Sequence, residues 1–169
     1  AVNTSQAQPL TAEQVAALTA PQIDGLRTTD IAELGSSQIA ALTATQIGGF
    51  DTADLAALAT TQIAALSTSA LNALTTTQTQ SLGTGQVAAL TATQIAGLRT
   101  GDIGELDTAQ VRALTAAQVQ ALTAEQVQAL SGTQLASLRA EDIAEFGTSQ
   151  IRALTTAQIG ALTETQIAG

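Results

Sequence analysis

The stretch TAEQVAAL, from Thr11 to Leu18, decides the fold of this chain because close variants of it fill almost the whole sequence. Two further copies are TATQIAGL at 91–98 and TAAQVQAL at 115–122. The shared unit is T-x-x-Q-[IV]-x-x-L, and its register runs from Asn3 to Gly169 without an insertion or deletion. A fixed short period is typical of a solenoid, in which each unit buries its apolar face only by stacking on its neighbours.

Three positions of the octad carry the pattern. Position eight, from Leu10 to Leu162, is leucine in 18 octads and phenylalanine in the other two, at Phe50 and Phe146. Position four is glutamine in 16 of 21 registers, aspartate in four and alanine at Ala70. Position five is aliphatic except at Ala7 and Thr79. The recurrent apolar residues at positions five and eight therefore predict a core that is shared along the chain.

One uninterrupted helix does not fit this period. At about 100° per residue, eight residues rotate the apolar stripe by about 80° per repeat, so no neighbouring helix could follow it. A short helix restarted in each octad does fit. Leu10, Thr11, Gln14 and Val15 stand where a hydrophobic staple and a capping box place their residues, just before and within the first turn of a helix.

Position one carries a helix-capping residue or glycine except in four octads, at Arg27, Ala59, Arg99 and Arg139. In three of these octads a threonine follows directly, at Thr28, Thr60 and Thr100. Threonine is a good N-cap residue, so we expect the cap to move by one residue there.

The pattern predicts an all-α solenoid, a superhelical coil of very short helices with one helix per octad. A β-solenoid is the alternative, because small repeats with threonine-rich faces also build that fold. Positions five and eight would point to opposite faces of a strand, and the many alanines favour helix. The 24- and 48-residue spacings of Asp30, Asp54 and Asp102 indicate three octads per turn, although Asp142 breaks this phase.

The repeats predict a single array over 1–169, in register from position 3. Solenoids that end in solution normally carry polar caps, and neither end of this register has one. We therefore expect either a segment of a longer array or a subunit that polymerises.

Composition excludes several classes of function. The chain has no His, Cys, Met, Tyr or Trp, and its only cations are five arginines against 14 acidic residues, for a net charge of −9. That charge opposes binding to nucleic acid or anionic lipid. No apolar stretch approaches the roughly 20 residues that span a bilayer, so we expect no membrane insertion. We also expect no enzyme and no cofactor, because the carboxylates recur along an array rather than converging in a cleft.

Three octads depart from the pattern together: RTTDIAEL at 27–34, RTGDIGEL at 99–106 and RAEDIAEF at 139–146. One interpretation is structural, because an aspartate near a helix N-terminus and an arginine three residues away are both favourable. The alternative is a set of lateral contact points; a calcium site is disfavoured because the spacing lacks dense oxygen ligands. The candidate contact residues are Arg27, Asp30, Glu33, Arg99, Asp102, Glu105, Arg139, Asp142 and Glu145.

The octads STSALNAL (67–74) and TTTQTQSL (75–82) lose first the glutamine and then the aliphatic residue. They represent either drift in a redundant array or a softer seam.

Two resemblances follow from these motifs. LTAEQVAAL at 10–18 resembles the first helix of a TAL-effector repeat, but the longer second half of that repeat is missing, so DNA binding is not implied. From Asn3 to Gly169 the chain is similar to LTTAQIAAL-type tracts of large bacterial proteins, often described as adhesin-like or haem-utilisation proteins. This resemblance implies secretion or surface display and supplies no site residues; the chain has no His, Met, Cys or Tyr to ligate haem iron.

The sequence thus favours a structural protein at the bacterial surface or outside the cell: a fibre subunit or a stalk segment. Its partner would be another copy stacked head to tail, or flanking repeats, because a heterologous contact builds filaments. The alternative is a binding module or scaffold that presents its threonine-rich outer face to a protein or to ice.

Overall fold

The computed structural model describes residues 10–168, so most of the first octad, from Asn3, lies outside the described residues. Within 10–168 the chain forms 20 short α-helices and no β-strand. The predicted all-α solenoid is confirmed and the β-solenoid alternative is wrong. The three-residue spacing of positions five and eight, which would place them on opposite faces of a strand, puts them on one face of a helical turn.

The chain divides into two compact units, Ala1–Ala89 and Leu90–Gly169. In sequence, the octad register passes through this division without interruption. The ten described helices of unit 1 are α1 (Ala12–Ala16), α2 (Ala20–Asp24), α3 (Thr28–Ala32), α4 (Ser36–Ala40), α5 (Ala44–Gly48), α6 (Thr52–Ala57), α7 (Thr60–Ala65), α8 (Thr68–Leu71), α9 (Thr76–Ser81) and α10 (Thr84–Ala89).

Unit 2 repeats the same design. Its described helices are α11 (Ala92–Gly97), α12 (Thr100–Gly104), α13 (Thr108–Arg112), α14 (Ala116–Ala121), α15 (Ala124–Ala129), α16 (Gly132–Ser137), α17 (Ala140–Ala144), α18 (Thr148–Ala153), α19 (Thr156–Ala161) and α20 (Glu164–Ala168).

Most of the described helices begin with the predicted capping chemistry. At Thr11 the backbone N–H donates to Oε1 of Gln14 over 2.8 Å, and the Gln14 N–H donates to Oγ1 of Thr11 over 3.2 Å. Chain corners are made by two extended residues, as at Leu58 (φ −65°, ψ 130°) and Ala59 (φ −65°, ψ 156°). No described residue has a positive φ, so these corners do not require glycine.

The expected shift of the cap at Arg27, Ala59 and Arg99 is wrong. These residues are themselves the N-caps, as is Arg139. At Ala59, which has no cap side chain, the backbone N–H still donates to Oε1 of Gln62 over 2.6 Å. The position-four side chain therefore satisfies a helix start even where position one contributes none, and the octad register holds the start in place.

Stacking supplies the stability that helices of four to six residues lack alone. In both units, each helix packs on the helix three places further along: α1 on α4, α2 on α5 and so on within unit 1, and α11 on α14 through α17 on α20 in unit 2. One superhelical turn in each unit therefore contains three octads, as the aspartate spacing indicated.

The core consists of positions five and eight. Ile23, Ile63 and Ile95 at position five are 0% exposed, and Phe50 and Phe146 at position eight are also buried. Position four is buried as well: Gln110, Gln118 and Gln126 are each 1% exposed. Because a buried amide needs hydrogen-bond partners, this layer of glutamines determines how successive turns are joined.

Candidate functional site

The glutamine at position four joins two consecutive turns of the solenoid. In α5, Oε1 of Gln46 accepts the N–H of Thr43 over 2.8 Å, which completes the cap of its own helix. Nε2 of the same side chain donates to the carbonyl oxygens of Leu18 over 2.6 Å and Val15 over 2.9 Å. These carbonyls lie in the preceding turn, at the end of α1. One buried amide thus uses its acceptor within its helix and its donor between turns.

The same inter-turn bond recurs at a constant separation of 28 residues. Donor–acceptor distances from Nε2 to the position-eight carbonyl are 2.6–2.9 Å. Unit 1 contains the pairs Gln38–Leu10, Gln46–Leu18, Gln62–Leu34, Gln78–Phe50 and Gln86–Leu58. Unit 2 contains Gln118–Leu90, Gln126–Leu98, Gln134–Leu106, Gln150–Leu122, Gln158–Leu130 and Gln166–Leu138. We call this series the glutamine ladder.

Sequence reasoning assigned position four to capping alone and missed the ladder. A capping box accepts glutamate as readily as glutamine, yet no octad has glutamate at position four. A carboxylate could cap the helix but has no N–H for the preceding turn. The preference for glutamine over glutamate is therefore the signal in the sequence that a second partner exists.

The arginine octads replace one glutamine with two side chains. In α17, Asp142 is 1% exposed and accepts two bonds from Arg139, Nε to Oδ2 over 2.6 Å and Nη2 to Oδ1 over 2.9 Å. Nη2 of Arg139 also donates to the carbonyl of Leu114, 3.2 Å away and 28 residues before Asp142. The guanidinium thus takes over the inter-turn donor role of the amide, while the aspartate serves as its acceptor.

The other two arginine octads share the bidentate pair. Arg27 contacts Asp30 through Nε at 3.2 Å and Nη2 at 3.0 Å, and Arg99 contacts Asp102 at 2.9 and 2.8 Å. The hydrogen bond to aspartate raises the pKa of each arginine above its ordinary value. These aspartates are buried, and each forms an ion pair with the arginine three residues earlier.

The glutamates of these octads lie elsewhere. Glu33 and Glu145 are exposed, and Glu105 is partly exposed. Oε2 of Glu145 accepts a bond of 2.9 Å from Nε2 of Gln120, which lies 25 residues earlier. In unit 2 the octads at 99–106 and 139–146 are five octads apart, which is not a multiple of three, so they face different sides of the coil. The structure therefore does not align them in one stripe; their role as lateral contacts stays a prediction.

Two further octads of unit 1 have no ladder donor at position four, and a third has lost its aliphatic residue at position five. Asp54 accepts the hydroxyl of Thr28 over 2.8 Å and the N–H of Asp51 over 3.2 Å, but a carboxylate has nothing to donate to the Leu26 carbonyl. Ala70 has no polar side-chain group at all, and its helix α8 is the shortest described. Thr79 keeps its ladder glutamine, Gln78, but buries a hydroxyl-bearing side chain in place of an aliphatic one. The irregular segment 67–82, which the sequence suggested to be either drift in the array or a softer seam, thus coincides with a missing inter-turn bond at Ala70.

The two faces of a turn are chemically different. Position five points towards the following turn, and the position-four amide points towards the preceding one. In the last described turn of unit 2, Ile151, Ile159 and Ile167 are 45%, 48% and 67% exposed. In the first described octads of unit 1, Gln14 and Gln22 are exposed instead of buried.

The described residues contain no cluster of three or more His, Cys, Asp or Glu side chains that would hold a metal ion. None of the helices between residues 10 and 168 is long and apolar enough to cross a bilayer. Many position-one hydroxyls act in caps, as Thr43 and Thr75 do with Gln46 and Gln78. The threonine-rich binding face stays a prediction.

Comparison with protein families identifies a repeat family. The family model described as ALTTAQ repeat matches residues 47–84, 96–132 and 135–169, which together make up more than half of the chain. Comparison with curated proteins finds no match.

Proposed function

This chain belongs to the ALTTAQ repeat family, and we propose that it serves as an extracellular fibre subunit or a stalk segment at a bacterial surface. Its tandem repeats make it a repeat-based structural or scaffold protein. The finer assignment rests on where the repeat places its recurrent residues.

The single observation that carries the proposal is the glutamine ladder. Positions four, five and eight are the most regular of the octad, and their side chains join each turn to the next. Separating two turns exposes buried isoleucine and leucine and breaks buried amide–carbonyl bonds at the same time. A hydrogen bond left unmade in a buried site costs about 1 to 3 kcal/mol, and each turn presents up to three such sites. This arrangement resists a force that pulls the turns apart along the stacking direction. A stalk or fibre carries its load in that direction.

The outer surface supports the same role. The chain has a net charge of −9 and no lysine, so copies repel one another sideways and remain soluble. This charge also disfavours nucleic acid as a partner. Location outside the cell is part of the proposal and rests on the resemblance to bacterial surface proteins.

Single-molecule pulling tests the load-bearing role. The chain is tethered through residues added at its two ends. The force needed to extend it is compared between two single variants, whose substituted residues lie two positions apart on α15. Gln126→Glu keeps the helix-cap acceptor and removes the donor to Leu98, whereas Gln128→Glu adds the same charge on the exposed side of that helix.

We expect Gln126→Glu to lower the force at which unit 2 begins to extend, and Gln128→Glu to leave it unchanged. Equal forces for the two variants would show that the ladder carries no load and would remove the support for a structural role. Immunogold labelling of intact cells tests location independently: label on unpermeabilised cells is expected, and label only after permeabilisation would refute surface display.

A further inference from the structure

We propose that unit 1 opens reversibly at one contact, between residues 27–50 and residues 51–74, while the turns on either side stay stacked. We call this contact the weak junction. Its use as the place where a stalk yields to load rests on the proposed function. The opening itself is a property of unit 1 without load, so it can be measured separately.

The apolar layer of the weak junction is complete. Ile31, Ile39 and Ile47, at position five of α3, α4 and α5, are each 0% exposed beneath α6, α7 and α8. Ile23 and Ile63, at the contacts on either side, are also 0% exposed. The weak junction is therefore closed in the resting structure, and its difference from the neighbouring contacts lies in the polar layer.

Two bonds of the glutamine ladder are missing from that polar layer. The carboxylate of Asp54 has no N–H to donate to the carbonyl of Leu26. The methyl group of Ala70 cannot donate to the carbonyl of Leu42. These two residues lie in the first and third octads of 51–74, so their positions bracket one contact between turns.

The remaining polar bonds of the weak junction come from two side chains. Nε2 of Gln62 donates to the carbonyls of Leu34 over 2.7 Å and Ala32 over 3.1 Å. The hydroxyl of Thr28 donates to Oδ1 of Asp54 over 2.8 Å. Of the three octads in 51–74, only the middle one thus contributes a ladder bond.

The neighbouring contacts of unit 1 keep their ladder donors. The ladder pairs are Gln38–Leu10 and Gln46–Leu18 before the weak junction, and Gln78–Phe50 and Gln86–Leu58 after it. In unit 2, the contact between 123–146 and 147–168 has all three ladder bonds. The weak junction is therefore set apart by its polar layer within a stack that is otherwise bonded at each described turn.

The helices at the weak junction are also poorly suited to hold their own shape. Helix α8 has four residues and is the shortest described helix. It packs on α5, which ends at Gly48 and is followed by Gly49. Short length and glycine both lower the stability of a helix that loses its neighbours. We therefore expect opening to begin where α5 meets α8.

Local opening of this kind follows from the uneven distribution of bonds. Proteins open in cooperative units whose opening free energies differ, and the least bonded contact opens most often. Loss of one or two net hydrogen bonds changes such an equilibrium by roughly 5- to 30-fold. Opening at the weak junction would divide unit 1 into two shorter stacks and leave the ladder intact within each.

Thiol labelling measures this opening directly, because the chain has no cysteine of its own. The variants Ile23→Cys, Ile31→Cys and Ile63→Cys each place one thiol at position five, where each isoleucine is 0% exposed. Ile31 is covered across the weak junction by α6, whereas Ile23 is covered by α5 and Ile63 by α10. The three variants are labelled with a small maleimide under native conditions, and circular dichroism checks that their helix content is equal.

We expect the Ile31→Cys thiol to be labelled roughly 5 to 30 times faster than the other two. Adding Asp54→Gln and Ala70→Gln supplies both missing donors and should slow the labelling of Ile31→Cys to the rate of Ile63→Cys. Adding Asp24→Asn and Thr77→Gln instead changes charge and glutamine content at exposed positions and should leave the rate unchanged.

A further variant keeps the test decisive if a glutamine at position 70 does not fit. Gln62→Glu keeps the cap acceptor for the Ala59 N–H and removes the last ladder donor of the weak junction. It should speed the labelling of Ile31→Cys and leave that of Ile23→Cys unchanged.

Equal labelling rates at the three positions would show that unit 1 opens as a whole and would overturn the proposal. Labelling that is fastest in Ile23→Cys would also overturn it, because the opening would then lie before residue 27. No force acts in this experiment, and the pulling experiment on α15 concerns unit 2. Failure of the weak junction and failure of the structural function are therefore distinguishable.

Discussion

Nε2 of Gln46 lies 2.6 Å from the carbonyl oxygen of Leu18, although 28 residues separate them in sequence. This offset is one turn of 24 residues plus the four that separate the end of one octad from the position-four residue of the next. Every bond of the glutamine ladder has this offset, so a change at one bond can be compared directly with the intact bonds around it.

Restoring the missing bond of the glutamine ladder at Ala70 should stabilise unit 1. The variant Ala70→Gln places an amide donor 28 residues after Leu42, where the other octads have one, and we expect a gain of about 1 kcal/mol in the free energy of unfolding. Urea unfolding at unchanged m-value measures it. Thr77→Gln, on the exposed side of α9, adds the same side chain outside the ladder and should have little effect. Destabilisation by Ala70→Gln would mean that α8 and its neighbours have closed over the space a glutamine requires.

Replacing Asp54 with glutamine should also stabilise unit 1. Glutamine keeps an acceptor for the Asp51 N–H and supplies the donor that Leu26 lacks, with an expected gain of about 1 kcal/mol. Asp24→Asn removes one negative charge from an exposed position and controls for net charge. A gain of equal size in both variants would trace the effect to charge repulsion and not to the ladder.

The Arg139–Asp142 pair should behave as a unit. Arg139→Thr removes the donor to Leu114 and the cation beside a carboxylate that is 1% exposed, so we expect a loss of about 1.5 to 3 kcal/mol. Adding Asp142→Gln converts the octad to the common type and should recover most of that loss. Chemical denaturation of the two single variants and the double variant gives the coupling free energy. Additive effects would refute the idea that the two side chains together replace one glutamine.

Two glycines of unit 2 should respond in opposite directions to alanine. A Cβ on Gly132 would lie 2.7 Å from Cβ of Ala161, one turn away, so Gly132→Ala should cost about 1 to 3 kcal/mol through overpacking. A Cβ on Gly101 meets nothing within 4 Å. Because alanine is the better helix former, Gly101→Ala should add up to about 1 kcal/mol. Thermal unfolding of both variants checks this, and a stabilised Gly132→Ala would show that α16 and α19 can move apart without cost.

Much of the fold was readable from the octad itself. The staple and capping box of Leu10, Thr11, Gln14 and Val15 predicted one helix per repeat, and the spacing of Asp30 and Asp54 indicated three octads per turn. Both predictions rest on local spacing, which a sequence displays directly. The division into two units had no counterpart in the pattern.

The partners of position four could not be predicted in the same way. A capping box explains a glutamine completely in local terms, so nothing required a second acceptor 28 residues earlier. The shifted cap expected at Thr28 was wrong for a related reason: local preference favoured threonine, but stacking and the position-four side chain hold the start at Arg27. The candidate site was thus only partly visible, because Arg139 and Asp142 were recognised as a pair while their link to Leu114 depends on the superhelical turn.

Three octads per turn also sets how the chain tolerates changes in length. Within a unit, loss or gain of one octad lets the ladder re-form at the same 28-residue offset, but it turns every downstream side chain about the axis by about 120°. Loss or gain of three octads restores the original facing. The number of octads and the direction in which the outer side chains point can therefore change independently. A change in repeat number that leaves folding intact can turn the outer side chains towards a different direction.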